Sequence, residues 1–224
     1  MARSEHLRPE TQKEVNDTEK KKFEHYYTVE PTSKLKVKVA KFVLKNGHEY
    51  LFKTPSGVYS YGRIDKATKI LLDHMVVHGE SLLDLGCGYG VIGIVVKKEY
   101  PRMKVFMSDI NKRAVEFAKI NAKDNNVDVD IRWGDLYEPW KDMKFDMIVC
   151  NPPIVAGKKV WMKIIEDAPD HLNDGGSLQV VAFHNKGGKR IKGYMEEVFG
   201  NVEDVWKEGG IRIYRSVKGA VEEK

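Results

Sequence analysis

The stretch Asn151-Pro152-Pro153-Ile154 follows an apolar run, KFDMIVC, that reads as a buried strand. Proline cannot donate to a sheet ladder, so two in succession stop the strand. One glycine would also stop it. The two prolines add a stiff backbone and hold one amide side chain, Asn151, at the strand's mouth.

A second constellation lies upstream in DLGCGYGVIG, Asp84 to Gly93, where Gly86, Gly88 and Gly90 alternate at the opening of a helix. Glycines there permit positive φ and let a ligand approach the backbone closely. The next strand ends in Asp109, where an acid in such folds meets ribose hydroxyls. Two ligand classes compete for this pattern. GYGVIG matches the G-x-G-x-x-G dinucleotide fingerprint, which would make the protein a nicotinamide-dependent oxidoreductase. Its proton chemistry would need a Tyr-x-x-x-Lys pair. Tyr100–Lys104 and Tyr137–Lys141 both contain an internal proline that opposes the necessary helical turn.

The other ligand is S-adenosylmethionine (SAM). Asp84 stands two residues before the first glycine, placed to help hold an amino-acid end directly or through water. Asp135, in GDLY at the end of the third strand, is placed to accept from an adenine amine, with Ile110 and Leu136 sandwiching the ring. Cys87 packs in the loop against the cofactor. Acids on three successive strand tips favour SAM over a dinucleotide.

These residues need strand tips to stand on. Strands read at SLLDL, KVFMSD, VDIRWGD, FDMIVC and SLQVVAF, and helices near 90–99, 112–124, 158–172 and 187–199. Such alternation predicts an α/β, doubly wound, mostly parallel sheet of seven strands with right-handed crossovers. VEDVWKEGGIRIYRSV adds a C-terminal antiparallel hairpin around Gly209-Gly210. Upstream, Asn46-Gly47 between apolar runs predicts a small N-terminal β hairpin. From Arg63 the apolar spacing becomes helical (Ile64, Ala67, Ile70, Leu71, Met75), with Asp65 as a cap. The division expected is a charged arm over 1–33, a hairpin extension over 34–62 and a catalytic domain over 63–224.

Composition narrows the class. Hydrophobic residues make up 42% and the formal net charge is +5, which permits a polyanionic partner without requiring one. The charged N-terminus is not a secretory signal, and no apolar run is long enough to span a membrane. Two cysteines in the whole chain suit a reducing compartment, so a cytoplasmic location is expected. Cys150 adjoins Asn151 and could serve carbon-5 pyrimidine methylation, but strand alternation turns it away from the site. His74 and His78 are four apart on a helix, yet no cluster with metal-site spacing accompanies them, so no metal is expected. Glutamine occurs only at Gln12 and Gln179 amid abundant Lys and Glu, a composition seen in heat-adapted proteins.

DLGCGYG and NPPI resemble the first and fourth motifs of class I SAM-dependent methyltransferases. More narrowly, TPSGVYSYGRIDKATKILL with DLGCGYGVIG, SDIN, GDLY and NPPI is similar to the methyltransferase small-domain family over about 35–218. That family includes guanine-N2 methyltransferases of small-subunit ribosomal RNA, and the likeness is expected to be greater to its single-domain archaeal members. The resemblance implies SAM as cofactor, RNA as partner and an exocyclic base amine as methyl acceptor. Guanine N2 comes first and cytosine N4 next; adenine N6, tRNA and protein glutamine remain open. Asn151 Oδ1 and the Pro152 carbonyl would accept from the amine, with Pro153 stiffening the turn. Many base-amine methyltransferases carry an aromatic after the prolines; here it is Ile154, so stacking must come from elsewhere, with Tyr59 and Tyr61 the candidates. Lys158 and Lys159, and beyond them Lys186, Lys189, Arg190 and Lys192, are placed to meet phosphates, as are Lys34, Lys36, Lys38 and Lys41 of the hairpin. KKKFEHYY, Lys20 to Tyr27, interleaves cations with aromatics as an RNA-stacking surface would. The oligomeric state stays open, with a monomer slightly favoured. A non-catalytic RNA-binding module remains the reading of another class.

Overall fold

The computed structural model describes residues 28–154 and 157–219. The cluster Lys20 to Tyr27 and most of the charged arm lie outside them. Among the described residues, no helix is long and apolar enough to cross a membrane.

Among the described residues, nine strands and five α-helices follow in order: β1 (Val37–Val43), β2 (Glu49–Pro55), α1 (Lys66–His74), β3 (Ser81–Leu85), α2 (Val91–Glu99), β4 (Lys104–Asp109), α3 (Lys112–Asp124), β5 (Asp130–Trp133), β6 (Phe145–Cys150), α4 (Lys158–Asp167), β7 (Leu172–Phe183), α5 (Gly188–Phe199), β8 (Glu203–Glu208) and β9 (Ile211–Val217). β3 to β9 form one sheet in the order β5-β4-β3-β6-β7-β9-β8. The pairs from β5 across to β7 are parallel, and β9 runs antiparallel to both β7 and β8. This is the doubly wound sheet with a terminal hairpin that the alternation predicts. The chain reverses its direction of travel across the sheet between β3 and β6, which opens a crevice beyond their carboxyl ends.

Apolar residues on alternate faces of the strands feed two cores. Leu82, Met107, Met147 and Val181 pack with α1, α2 and α3. Leu83, Leu85, Ile148 and Val180 pack with α4, α5, Trp140 and Phe145. The central strands β3, β6 and β7 are buried on both faces, as a covered parallel sheet requires, whereas the edge strands β5 and β8 are largely exposed. The β1–β2 hairpin turns at Gly47, whose φ is +88°, and it sends Phe42, Tyr50 and Phe52 into the first core. Asn121 of α3 fastens it, accepting from Lys53 N at 2.8 Å and donating to Lys53 O at 3.0 Å.

Two boundaries differ from the sequence reading. β7 begins at Leu172 rather than Ser177, because Phe145 pairs with Leu172 and the polar NDGG stretch is an irregularity within the strand. α4 ends at Asp167, and Ala168–His171 continue it as a tighter turn with Pro169 in its first positions.

Candidate active site

A cavity of about 590 Å³ opens over the tips of β3, β4, β6 and β7, with Gly86, Asp109, Asn151 and Phe183 among its walls. That volume suits a ligand of cofactor size. One side is built by the glycine loop. Gly86 N and Cys87 N both donate to Ser108 O at 2.9 Å. Gly88 N donates to Asp109 Oδ2 at 2.8 Å, and Asp109 Oδ1 accepts from Asn111 N at 2.8 Å. One carboxylate thus shapes two loops while lining the cavity, and burial holds its pKa above the usual range against those backbone bonds.

Gly86, Gly88 and Gly90 have φ of +75°, +56° and +97°. A Cβ on Gly86 would meet no protein atom within 4 Å, so the space in front of it is open. Gly90 and Gly93 face inward instead. A Cβ on Gly93 would lie 2.6 Å from Met107 Sδ, so this glycine lets α2 pack close to the sheet.

Asp84 differs from its expected role. It is 1% exposed and absent from the cavity wall. Its Oδ2 accepts from Gly93 N at 2.9 Å, which ties α2 to β3, while Oδ1 has no partner. Burial pushes its pKa up to about 7, with the Asp109 charge adding and the Gly93 bond opposing. Asp84 holds the loop that would hold the cofactor, and direct contact is not made from this position.

Ile110, Asp135 and Leu136 line the far end of the cavity. Trp133 Nε1 donates to Ile110 O at 2.8 Å and fixes that loop. Leu136 has φ of +46°, an unusual conformation for a branched residue and a mark of a constrained site. Asp135 is exposed there, its pKa raised by partial burial and by Glu138 and lowered by Lys163. An open glycine cradle, a carboxylate at the tip of β4 and an apolar slot with an acid at its edge fit SAM.

The opposite side is the Asn-Pro-Pro turn. Asn151 Nδ2 donates to Asp65 Oδ2 at 3.0 Å and to Thr68 Oγ1 at 3.1 Å. An amide nitrogen has two hydrogens, and both are now used. Oδ1 takes no bond from the described residues. The Pro152 carbonyl accepts from Ile154 N at 2.8 Å, a tight turn that fixes its direction and leaves its second lone pair. Asp65 is the N-cap of α1, as its position ahead of the helical spacing predicts. Its contact with Asn151 had no sequence signal, because 86 residues separate the two.

Tyr59 lines the cavity and is exposed; Tyr61 does not, and lies with Lys38 Nζ 4.9 Å from its ring centroid. Lys158 and Lys159 stand at the start of α4 outside the cavity wall, whereas Lys186 is part of it. Phe183, which sequence reasoning missed, is an exposed aromatic in the wall with Lys186 Nζ 5.5 Å from its ring centroid. Its signal was available: it is the last residue of an apolar strand, where the chain meets the ligand crevice.

The alternative chemistries lose their parts. Tyr137 is buried with its hydroxyl donating to Ile164 O at 2.8 Å, and Tyr100 is exposed at the end of α2, so neither reaches the cavity with a lysine. Cys150 is 1% exposed, and burial drives its thiol pKa far up, opposite to what a nucleophile requires. His74 stacks on Trp206 and His78 meets Ser177 Oγ at 2.7 Å. No cluster of potential metal ligands occurs among the described residues.

Residues 49–215 match the family model of the methyltransferase small domain. The chain belongs to the methyltransferase small-domain family. Its members are SAM-dependent methyltransferases, and the domain described here carries their fold. It is 35% identical to YbxB of Bacillus subtilis over 87% of this chain and 98% of that one. It is 36% identical to ribosomal RNA small subunit methyltransferase C of Hahella chejuensis, over 75% of this chain and 49% of that protein. The domain therefore spans about half the length of the curated ribosomal RNA methyltransferases it matches. Among solved structures, the T. thermophilus 16S rRNA N2 G1207 methyltransferase RsmC, in complex with AdoMet and guanosine, aligns with a TM-score of 0.71 at 24% identity, over 84% of this chain and 52% of that one. A Pyrococcus furiosus methyltransferase aligns at 0.60 and 26% identity, covering 67% and 81%. The expected special likeness to archaeal members is not supported, because the curated relatives it matches here are bacterial.

Proposed function

We propose that this methyltransferase transfers a methyl group from SAM to an exocyclic amine of an RNA base, in small-subunit ribosomal RNA. The observation that carries the reading is the amide of Asn151. With both Nδ2 hydrogens held by Asp65 and Thr68, the side chain offers the cavity only an acceptor. Its natural ligand is an N–H donor.

A base amine is a poor nucleophile, because its lone pair is delocalised into the ring. Asn151 Oδ1 and the second lone pair of the Pro152 carbonyl accept from the two amine hydrogens. That favours a pyramidal nitrogen with its lone pair directed out of the base plane. The same acceptors stabilise the positive charge that grows on nitrogen, and they are already fixed, so little reorganisation is needed. SAM supplies the methyl electrophile, with Gly86, Gly88, Asp109, Ile110, Asp135 and Leu136 as its proposed holders. No strong base is required, since the aminium proton is acidic and leaves to water afterwards.

Phe183 and Tyr59 are the proposed stacking surfaces for the base, in place of an aromatic at Ile154, and Lys186 is the nearest cation for a flanking phosphate. Guanine N2 is the first choice, supported by the guanosine and the N2 named for the T. thermophilus structure. Cytosine N4 presents the same pair of hydrogens and is second. The test has two arms. SAM is expected to raise the melting temperature and NADH to leave it unchanged. Labelled methyl from SAM is expected in small-subunit rRNA or its precursor particles; label appearing only in tRNA or protein, or stabilisation by NADH alone, would overturn the reading.

A further inference from the structure

We propose that Asp65, with Thr68, is a positioning residue that locks the amide of Asn151 with its oxygen toward the substrate. The inference rests on the role given to Asn151 above. An asparagine amide can turn over about its terminal torsion, exchanging oxygen for nitrogen at little steric cost. Turned over, Asn151 would present N–H groups to an amine that itself carries N–H groups, and the acceptor would be gone.

Asp65 makes the turned-over state unfavourable. A carboxylate oxygen accepts and does not donate. Its Oδ2 lies 3.0 Å from Asn151 Nδ2, so turning the amide would set oxygen against oxygen. The same Oδ2 accepts from Ala67 N at 3.1 Å and Thr68 N at 3.2 Å. It is therefore fixed by the first turn of α1, and it cannot shift toward Asn151 or away without breaking the cap. Thr68, 8% exposed, supplies the second acceptor at 3.1 Å. One helix start thus performs two jobs with one oxygen: it caps α1, and it sets the donor–acceptor sense of a side chain on β6.

Two substitutions separate those jobs. Asp65→Asn keeps an oxygen able to cap the helix and to accept from Asn151. Asp65→Ser also caps, because serine is a good N-cap, but it is too short to reach Asn151. The first readout is the side-chain amide ¹⁵N–¹H pair of Asn151, assigned by its loss in Asn151→Ala. Wild type and Asp65→Asn are expected to give a resolved pair that exchanges slowly with water; Asp65→Ser is expected to shift the pair and speed its exchange. The second readout is single-turnover methyl transfer. Asp65→Ser is expected to lower it by about 10- to 100-fold with SAM affinity unchanged, since misplacement of a reacting group alone has costs of that order. Thr68→Val moves it the same way. In an Asn151→Ala background Asp65→Ser should cost nothing more, which a merely structural role would not produce. An amide pair that Asp65→Ser leaves unmoved, or an equal loss with and without Asn151, overturns the proposal. Should wild type transfer no methyl to RNA while the amide pair responds as described, the positioning role stands and the RNA reading falls.

Discussion

The nitrogen of Asn151 and the carboxylate of Asp65, 86 residues apart in the chain, meet at 3.0 Å across the rim of the cavity. That contact makes a flexible amide behave as a fixed acceptor. Asn151→Ala is therefore expected to lower methyl transfer by about 10²- to 10³-fold, the loss typical of deleting one preorganised electrostatic group. SAM affinity should change little. Asn151→Asp should fare no better, because it sets a second carboxylate beside Asp65. Single-turnover rates with calorimetric SAM binding check both.

The glycines divide by what lies in front of them. Gly86→Ala projects a methyl into open cavity, so it should weaken SAM binding, with about 1–2 kcal/mol of backbone strain from its positive φ. Gly93→Ala meets Met107 and should act through stability, at about 1–3 kcal/mol for overpacking. Both variants should therefore lower the melting temperature, and only Gly86→Ala should in addition weaken SAM binding.

Asp84 gives the apo protein a pH dependence with a definite sign. Its folded pKa is pushed up to about 7, while an unfolded aspartate titrates near about 3.9. Between those values the folded state keeps a proton that the unfolded chain has released. Stability from this group is thus undiminished below about pH 4, falls as pH rises to about 7, and is level above it. Asp84→Asn keeps an oxygen for Gly93 N and removes the titration. Its melting temperature relative to wild type should be higher at about pH 8 than at about pH 4.5; equal differences at the two would contradict the buried-carboxylate account.

Phe183→Ala should leave SAM binding intact and weaken the RNA substrate. Removing base–aromatic stacking costs about 1–3 kcal/mol, or about 5- to 150-fold in affinity. Phe183→Tyr should retain most of it. Lys186→Ala should reduce the salt dependence of RNA binding by about one counterion.

How much of this could be read from sequence depends on distance along the chain. The sheet was legible because each strand carries its own apolar run and each helix its own spacing. The glycine loop and the acids at Asp109 and Asp135 were legible because strand tips of a doubly wound sheet converge. Asp84 lies off the cavity wall: two residues before a glycine looks adjacent to a ligand, but strand alternation turns its side chain under α2, onto Gly93. Tyr61 failed for a similar reason, since the turn at 56–63 sends Tyr59 to the cavity and Tyr61 to Lys38. The Asp65–Asn151 contact was illegible. Asp65 had a sufficient local explanation as a cap, and nothing local pointed to β6.

The most direct test of the central claim is the nucleoside composition of small-subunit rRNA from cells with and without the gene, resolved by mass and by fragmentation of the base. One nucleoside methylated on an exocyclic amine is expected with the wild-type gene and is expected to disappear in the deletion. It should return with the wild-type copy and not with Asn151→Ala. Identical nucleoside profiles in all four strains, or a lost methyl that Asn151→Ala restores, would contradict it.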